Sequence, residues 1–240
     1  MTLTVALLGR DGIVLASDSR ATYGDPRDLT AQDDTQRKIH QIANCSGVLV
    51  AGDGGVFETL LDLYKSTNAD GSAVRDVKEV AEGIQGIFKE TLTKWLAPTI
   101  QGVNAMQFTA PVNIVLTLAG YAASGDPCLY SLHSSDWFVP RIVSAGFVLG
   151  GVPQYGLYLM MRLYERERSV EDLKHLSAYA IMETSSQDGK VGGPVQMSVI
   201  EPTGGYKEVQ PEEVKQIIER NQQRSDALRR SFYGGSENGA

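Results

Sequence analysis

The sequence is poor in the residues that mark several common classes of protein. Its 240 residues include two cysteines and three histidines, and no apolar run approaches the ~20 residues of a membrane-spanning helix. Cys45 and Cys128 lie far apart and match no metal or redox spacing, so we expect both to be free, buried and in a reducing compartment. His40, His133 and His175 have no zinc-ligand spacing. We therefore expect no disulfide scaffold, no membrane span and no zinc site.

Basic residues are in the minority. The chain has 22 Lys and Arg against 29 Asp and Glu, a formal net charge of −7. A general nucleic-acid-binding protein would carry a basic surface, so this balance argues against nucleic-acid partners. The amino terminus has no basic leader and reaches Arg10 and Asp11 too early for a signal peptide, which predicts a cytoplasmic protein without a membrane anchor.

Several cofactor and hydrolase motifs are also missing. The glycine clusters lack the Lys-Ser/Thr that ends a phosphate loop, and none forms Gly-x-Gly-x-x-Gly after a predicted strand. There is no Gly-x-Ser-x-Gly nucleophile elbow. We expect neither a bound cofactor nor a metal.

The apolar patterning predicts strands, two helices, strands, two helices, a strand and a final helix. This segregated order favours an α+β fold with mostly antiparallel sheets, and the absence of a linker favours one domain over residues 1–240. Residues 22–34 are predicted to be a loop, and 234–240 a flexible tail. Strands are predicted over residues 3–8, 13–17, 35–42, 47–51, 112–121, 129–132, 137–139, 142–148 and 195–200; helices from 52–55 onward, from near 72, and over 153–165, 169–186 and 211–231.

Thr2 directly follows the initiator methionine and opens the first predicted strand. A threonine hydroxyl is a weak nucleophile unless a base lies beside it, and a free α-amino group, with an ordinary pKa of about 7.7–8.0, can be that base. Methionine before a small residue is the context in which its removal is expected, and removal would make Thr2 the first residue. Many proteins begin in this way, so the pattern alone favours a plain strand residue over a nucleophile.

Four stretches of the chain, in order, carry a resemblance that changes this reading. They are Thr2-Leu3-Thr4-Val5 with Asp11 to Thr22, Arg37-Lys38-Ile39, Ala51-Gly52-Asp53-Gly54-Gly55, and Asp188-Gly189-Lys190-Val191-Gly192-Gly193. Gly205-Tyr206 through Pro211 and the final helix continue the resemblance, which spans about residues 2–230 in all. These motifs resemble those of proteasome β-type subunits, which are amino-terminal-nucleophile hydrolases. The resemblance implies a four-layer αββα sandwich, with two antiparallel sheets between helix layers.

The resemblance also implies roles for individual residues. Thr2 would be the nucleophile and its own amino group the base. Lys38 would lower the pKa of the threonine hydroxyl and keep the amine neutral, and Asp18 would hold Lys38 in a buried ion pair. The backbone N–H of Gly52 would stabilise the oxyanion. Taken singly, Asp18 could be a polar strand end, Lys38 a solvated side chain and Gly52 a turn glycine.

Other positions would support the site. Arg20 is expected to brace it rather than react, and Asp188 is a further supporting residue. On the motif alignment, four residues would line a small apolar substrate pocket, namely Ala21, Gln36, Val50 and Gly54.

The chain departs from the family at two serines. Gly150 and Gly151 stand where active members have a serine, and Val191 replaces the serine of Asp-x-x-Ser-Gly-Gly. Because these hydroxyls normally contact the threonine amine, another group must orient it here, or activity is weak. The candidates are water and the hydroxyls of Thr4, Ser19 and Ser185.

The leading hypothesis is a threonine peptidase in a ring-shaped homo-oligomer, acting on peptides or unfolded proteins. An ATP-dependent unfoldase or another regulator is a possible partner. Two alternatives stay open, a structural subunit with weak or no catalysis and an amidohydrolase that uses the same chemistry on small amides.

Overall fold

A computed structural model of the chain describes residues 2–24, 30–68, 76–100 and 112–233. The elements follow one another in the predicted order of strands and helices. The strands are β1 (Leu3–Leu8), β2 (Ile13–Ser17), β3 (Ala21–Gly24), β4 (Thr30–Asp33), β5 (Ile39–Ala43), β6 (Ser46–Gly52), β7 (Ile114–Tyr121), β8 (Pro127–His133), β9 (Arg141–Ile142), β10 (Phe147–Gly151), β11 (Gln196–Glu201) and β12 (Gly205–Glu208). The helices are α1 (Gly54–Thr67), α2 (Val77–Ile100), α3 (Gln154–Leu163), α4 (Val170–Gln187) and α5 (Pro211–Tyr233).

Two five-stranded antiparallel sheets form the centre of the molecule. The first has the order β10-β1-β2-β11-β12, and the second has the order β5-β6-β7-β8-β9. Strands β3 and β4 pair only with each other, as a separate hairpin. The strand β1 therefore lies inside the first sheet, between β10 and β2.

Three groups of buried apolar side chains separate four layers. One lies between α1, α2 and the second sheet, another between the first sheet and α3, α4 and α5, and the third between the two sheets. This is the αββα sandwich that was expected, and the α+β fold class is confirmed.

The burial of β1 explains why its sequence is apolar at every position except Thr4. Leu3, Val5 and Leu7 face the helices, whereas Ala6 and Leu8 face the second sheet, and all are almost fully buried. Because side chains alternate along a strand, a strand covered on both faces needs apolar residues at nearly every position. Because β1 lies in the interior of the sandwich, Thr2, which directly precedes it, is buried as well.

Two strand predictions between β8 and β10 are wrong. The segment predicted as a strand at 137–139 is a turn after a short 3-10 helix, Ser134–Asp136, and both Trp137 and Phe138 have left-handed backbone conformations. The strand predicted at 142–148 is divided by a turn at Gly146, whose φ is +80°. As a result β9 and β10 lie in different sheets, which a continuous apolar run does not reveal.

The predicted loop at 22–34 contains most of the β3–β4 hairpin, and β12 was not predicted as a strand. Among the described residues, the hairpin's strands pair with neither sheet, and none of its residues with a described burial is fully buried, which suits a polar sequence. The segment predicted as a strand from residue 35 becomes regular only at Ile39. The predicted helix start near residue 72 and the tail at 234–240 lie outside the described residues.

The described helices agree closely with the predicted ones. Ser169 caps α4, where its hydroxyl accepts a hydrogen bond from the Asp172 N–H at 3.2 Å. None of the described helices is long and apolar enough to cross a membrane. Cys45 and Cys128 are unpaired, as expected, but each is only half-buried, which corrects the expectation of full burial.

Candidate active site

One cleft of about 490 Å³ brings together most of the residues singled out from the sequence. It lies where β1 begins, β3 begins and β6 passes into α1. Thr2, Lys38 and Gly52 line it together with Arg20 and all four predicted pocket residues. Its complete lining is Thr2, Arg20, Ala21, Thr22, Tyr23, Gln36, Lys38, Val50, Gly52, Asp53, Gly54 and Gly55.

A buried ion pair lies at the cleft. The Lys38 ammonium donates to Asp18 Oδ1 at 2.8 Å and to the Arg20 carbonyl at 2.6 Å. The Lys38 side chain is 4% exposed and that of Asp18 is fully buried. Burial lowers the pKa of Lys38, and the charge and hydrogen bond of Asp18 oppose that shift. The pair thus keeps a cation in an environment that disfavours it.

Backbone N–H groups hold the Asp18 carboxylate in place. Leu3 donates to Oδ1 at 3.0 Å, and Arg20 and Gly192 donate to Oδ2 at 3.2 and 3.0 Å. Because Leu3 directly follows Thr2, the carboxylate also fixes the start of β1. Asp18 therefore links the candidate nucleophile to Lys38 and to the segment that contains Gly192.

Gly52 lies at the turn between β6 and α1, with φ of +107°. A Cβ at this position would lie 1.9 Å from the Asn113 carbonyl oxygen, so glycine is required. The next residue, Asp53, caps α1 by accepting from the Val56 N–H at 3.1 Å. The amino end of α1 thus opens into the cleft, where helix dipoles favour developing negative charge.

Comparison with known proteins decides the family. The sequence profile described as "Proteasome subunit" matches residues 2–200. The chain belongs to the proteasome subunit family. It is 26% identical over 214 residues to a proteasome subunit beta of Methanosarcina thermophila, covering 89% of this chain and 92% of that relative. It is 25% identical over 217 residues to that of Methanopyrus kandleri, covering 90% and 95%.

Solved structures of the same fold are more distant in sequence. The Anbu complex of Pseudomonas aeruginosa, described as a helical assembly, superposes with a TM-score of 0.74 at 19% identity, covering 99% of this chain and 98% of that one. Anbu from Yersinia bercovieri, described as an ancestral beta-subunit, gives 0.72 at 16% identity and 99% coverage of both chains. At these identities the likeness establishes the fold.

The two glycines that replace a family serine are enforced by their neighbours. Gly151 has φ of +87°, and a Cβ there would lie 1.8 Å from the Thr2 carbonyl oxygen. A Cβ at Gly150 would lie 2.5 Å from Thr4 Oγ1. The buried Thr4 hydroxyl therefore takes the space beside Gly150, on the same face of β1 as Thr2.

The second serine position contributes no polar group to the cleft. Val191 is 1% exposed and packs in the core between the first sheet and the helices. Asp188 does not line the cleft, and its carboxylate accepts from the Lys190 N–H at 2.9 Å. Of the other candidate hydroxyls, Ser185 donates to the Met182 carbonyl, while Ser19 Oγ is buried without a partner among the described residues.

The character of the pocket differs from the sequence expectation. The predicted small apolar pocket is partly polar, because Arg20, Gln36 and Lys38 are among its lining residues. Gln36 Nε2 donates to Glu58 Oε1 at 3.1 Å, and Glu58 itself is not part of the lining. The described residues hold no cluster of three or more His, Cys, Asp or Glu side chains suited to a metal.

Sequence reasoning missed two residues that hold the site together. Gln196 accepts from the Lys38 N–H at 3.1 Å and donates to the Gln36 carbonyl at 2.7 Å, which ties the Lys38 segment to β11. Asp34 receives two hydrogen bonds from Arg20. Neither residue belongs to a recognisable motif, and only the three-dimensional arrangement identifies them.

Proposed function

We propose that the chain is an amino-terminal threonine hydrolase that cleaves peptide bonds after removal of Met1. The Thr2 Oγ bonds to the scissile carbonyl carbon while the Thr2 α-amine takes the hydroxyl proton. The C–N bond then breaks, the leaving amine receives that proton, and an ester remains on Thr2. Water hydrolyses the ester, which releases the acid and restores the hydroxyl.

The buried pair of Lys38 and Asp18 beside Thr2 is the observation that carries this proposal. Removing two charges from water is unfavourable unless their contacts compensate, and such pairs are concentrated at functional sites. A protonated Lys38 beside the Thr2 hydroxyl would favour its ionised form and disfavour a charged amine. A purely structural subunit has no need of this arrangement.

The turn at Gly52 supports a role for its backbone N–H as oxyanion donor. Because no side chain intervenes, a substrate carbonyl can approach the backbone closely. The Gln36 side chain in the lining favours a substrate side chain that can form a hydrogen bond.

Self-association is supported by the surface of α3. Its exposed residues are Gln154, Arg162 and five apolar side chains, Tyr155, Leu157, Tyr158, Met161 and Leu163. A helix that is apolar on its outer as well as its inner face is usually covered by another protein surface. A second copy suits this surface, because a mainly apolar face with a single charged residue, Arg162, can pack against itself in a chain of net charge −7. We expect Met161→Glu to dissociate the assembly, as measured by native mass spectrometry.

A structural subunit is the second candidate, and the loss of both family serines favours it. The packing of Val191 in the core shows that this change is accommodated by the fold. An amidohydrolase of small amides would use the same site. A cytoplasmic location, an unfolded-protein substrate and an ATP-dependent unfoldase stay predictions from the resemblance.

Intact mass before and after treatment with a peptide epoxyketone tests the proposal, because this reagent needs a free amine and a hydroxyl on one residue. We expect loss of Met1 and one adduct in the wild type and in the control Thr59→Ala, an exposed threonine of α1. Thr2→Ala should give no adduct. Retained Met1 and no adduct, with assemblies still formed, would support the structural subunit, and turnover of small amides but not peptides would support the amidohydrolase.

A further inference from the structure

An ion pair between Arg20 and Asp34, a residue that the sequence did not single out, lies at the rim of the site. The Arg20 guanidinium donates to both Asp34 oxygens, from Nε at 2.7 Å and from Nη2 at 2.9 Å. Its third nitrogen, Nη1, donates to the Gly189 carbonyl at 2.9 Å. One planar cation therefore binds two segments that are far apart in sequence, and the two-point geometry fixes its orientation.

Two glycines pack directly against this pair. A Cβ at Gly192 would lie 2.6 Å from the Arg20 Cζ, and one at Gly193 would lie 2.8 Å from the Asp34 Cβ. The backbone of the loop 188–193 thus lies against the guanidinium and the carboxylate with no side chain between them. If either charged group moved, the loop would lose the surface against which its backbone packs.

The inner edge of the same loop reaches the buried ion pair. The Gly192 N–H donates to Asp18 Oδ2 at 3.0 Å, and the Gly192 carbonyl accepts from the Ser19 and Arg20 N–H groups. Asp18 Oδ1 in turn accepts from Lys38. The contacts therefore run from Asp34 through Arg20 and Gly192 to Asp18 and Lys38.

The same loop contains Val191, at the position where the family resemblance predicts a serine. With Val191 in the core and the Asp188 carboxylate turned to the Lys190 N–H, neither side chain ties the loop to the cleft. The remaining polar ties from the loop to the site are its backbone contacts and the Arg20–Asp34 pair.

We propose that Asp34 is a positioning residue, which clamps the loop 188–193 through Arg20 and so aligns Asp18 with Lys38. This rests on the proposed function only where turnover is concerned, since the clamp itself is a property of the fold. The Arg20 and Asp34 side chains are 21% and 41% exposed, and ion pairs this exposed stabilise a fold little. The expected effect of losing Asp34 is therefore on alignment more than on folding.

The test compares Asp34→Ala with Asp33→Ala in the full-length assembled protein. Asp33 is the matched control, because it is adjacent and carries the same charge but accepts from the Thr35 N–H and hydroxyl instead of Arg20. For Asp34→Ala we expect kcat on a fluorogenic peptide to fall about 10- to 100-fold with KM within about two-fold. Hydrogen–deuterium exchange of the 188–193 amides should accelerate about ten-fold or more. Asp33→Ala should change neither quantity more than about two-fold.

Two further variants sharpen the result. Asp34→Glu, which retains the charge and can still pair with Arg20, should recover much of the lost kcat. Arg20→Ala combined with Asp34→Ala should be no worse than Arg20→Ala alone, because both remove one clamp.

Equal behaviour of Asp34→Ala and Asp33→Ala in exchange would overturn the proposal. So would faster exchange with unchanged kcat, or a lower kcat with unchanged exchange. If the wild type neither turns over peptide nor forms the epoxyketone adduct, the proposed function fails, and the exchange comparison alone then decides whether Asp34 holds the loop.

Discussion

Two lysines, one at the cleft and one between α4 and α5, are buried to a similar extent but held differently. Lys38 contacts one fully buried carboxylate, Asp18. Lys174 contacts two, Glu171 at 2.6 Å and Glu213, which are 75% and 46% exposed. Burial lowers the pKa of both, but the two glutamates outweigh burial at Lys174, so its pKa is raised, whereas that of Lys38 is lowered.

A third buried base extends the comparison. His40 is 9% exposed, and its Nε2 lies 3.3 Å from the Arg37 carbonyl, with no hydrogen bond to a carboxylate among the described residues. Burial lowers its pKa to about 4. The pKa is raised at Lys174, which two carboxylates contact, and lowered at Lys38, which one contacts, and at His40, which has no carboxylate hydrogen bond among the described residues. A cation held by one buried carboxylate is suited to tuning a neighbour, whereas one held by two solvated carboxylates joins helices.

The largest expected effect is on peptide hydrolysis, where substitutions of Lys38 and Lys174 should differ most. Lys38→Ala should lower kcat/KM for peptide hydrolysis at least about 10³-fold, because it removes the charge that, in the proposed mechanism, activates Thr2. Lys174→Ala should stay within about two-fold of wild type. Native mass spectrometry should find both variants assembled. Near-normal turnover of Lys38→Ala would mean that another group activates the hydroxyl.

The next effect is on stability. Asp18→Ala should lower the free energy of unfolding by about 3–5 kcal/mol, because it leaves a buried ammonium without its partner. Glu213→Ala, at the half-exposed end of the other pair, should lower it by less than about 1 kcal/mol. Urea denaturation of the two variants measures both values, and similar losses would remove the contrast between buried and solvated partners.

His40 predicts a loss of stability in acid. Its pKa in the fold, about 4, lies below the ordinary 6.5, so the unfolded chain binds the proton more readily. The favourable contribution of neutral His40 is thus complete above pH 6.5 and is lost as the pH falls through about 4, by about 3 kcal/mol at pH 4. Urea denaturation at pH 7 and pH 4 should give a smaller difference for His40→Gln than for wild type.

The smallest effect concerns Lys174. Lys174→Met should change the free energy of unfolding by no more than about 1 kcal/mol, because its glutamates are largely solvated and the apolar stem is retained.

At alkaline pH the contributions of Lys174 and Lys38 to the free energy of unfolding should change in opposite directions. Stability from Lys174 is lost as the pH rises through its raised pKa, whereas the unfavourable charge of Lys38 is relieved as the pH rises towards the ordinary value of 10.5. Denaturation of Lys174→Met between pH 9 and 11 tests this.

Local apolar patterns predicted the α+β class and the order of its elements, whereas the sandwich and much of the cleft were implied by the family resemblance. The run of mainly apolar residues over β1 predicted a strand, and the glycine at 52 marked the turn into α1. The positions of Thr2, Lys38 and Gly52 in one cleft follow from motifs at fixed places in the fold. Their catalytic roles stay predictions.

What could not be predicted depends on contacts across the chain. Asp34 lies in a polar segment without apolar periodicity, and its partner Arg20 is fourteen residues away across the β3–β4 hairpin. The left-handed conformation of Trp137 is imposed by tertiary packing, since neither it nor Phe138 favours that region intrinsically. The partly polar character of the pocket arises because Arg20 and Lys38 line it together with Gln36, a convergence that the motif alignment did not reveal.

The crowding around Gly150 and Gly151 constrains how this chain could change. A serine at 151 would collide with the main chain of Thr2, and one at 150 would meet the Thr4 hydroxyl. The main chain therefore excludes a side chain at 151, whereas a serine at 150 requires the Thr4 side chain to move or to be replaced by a smaller one. A hydroxyl could enter at 150 only together with an adjustment at position 4.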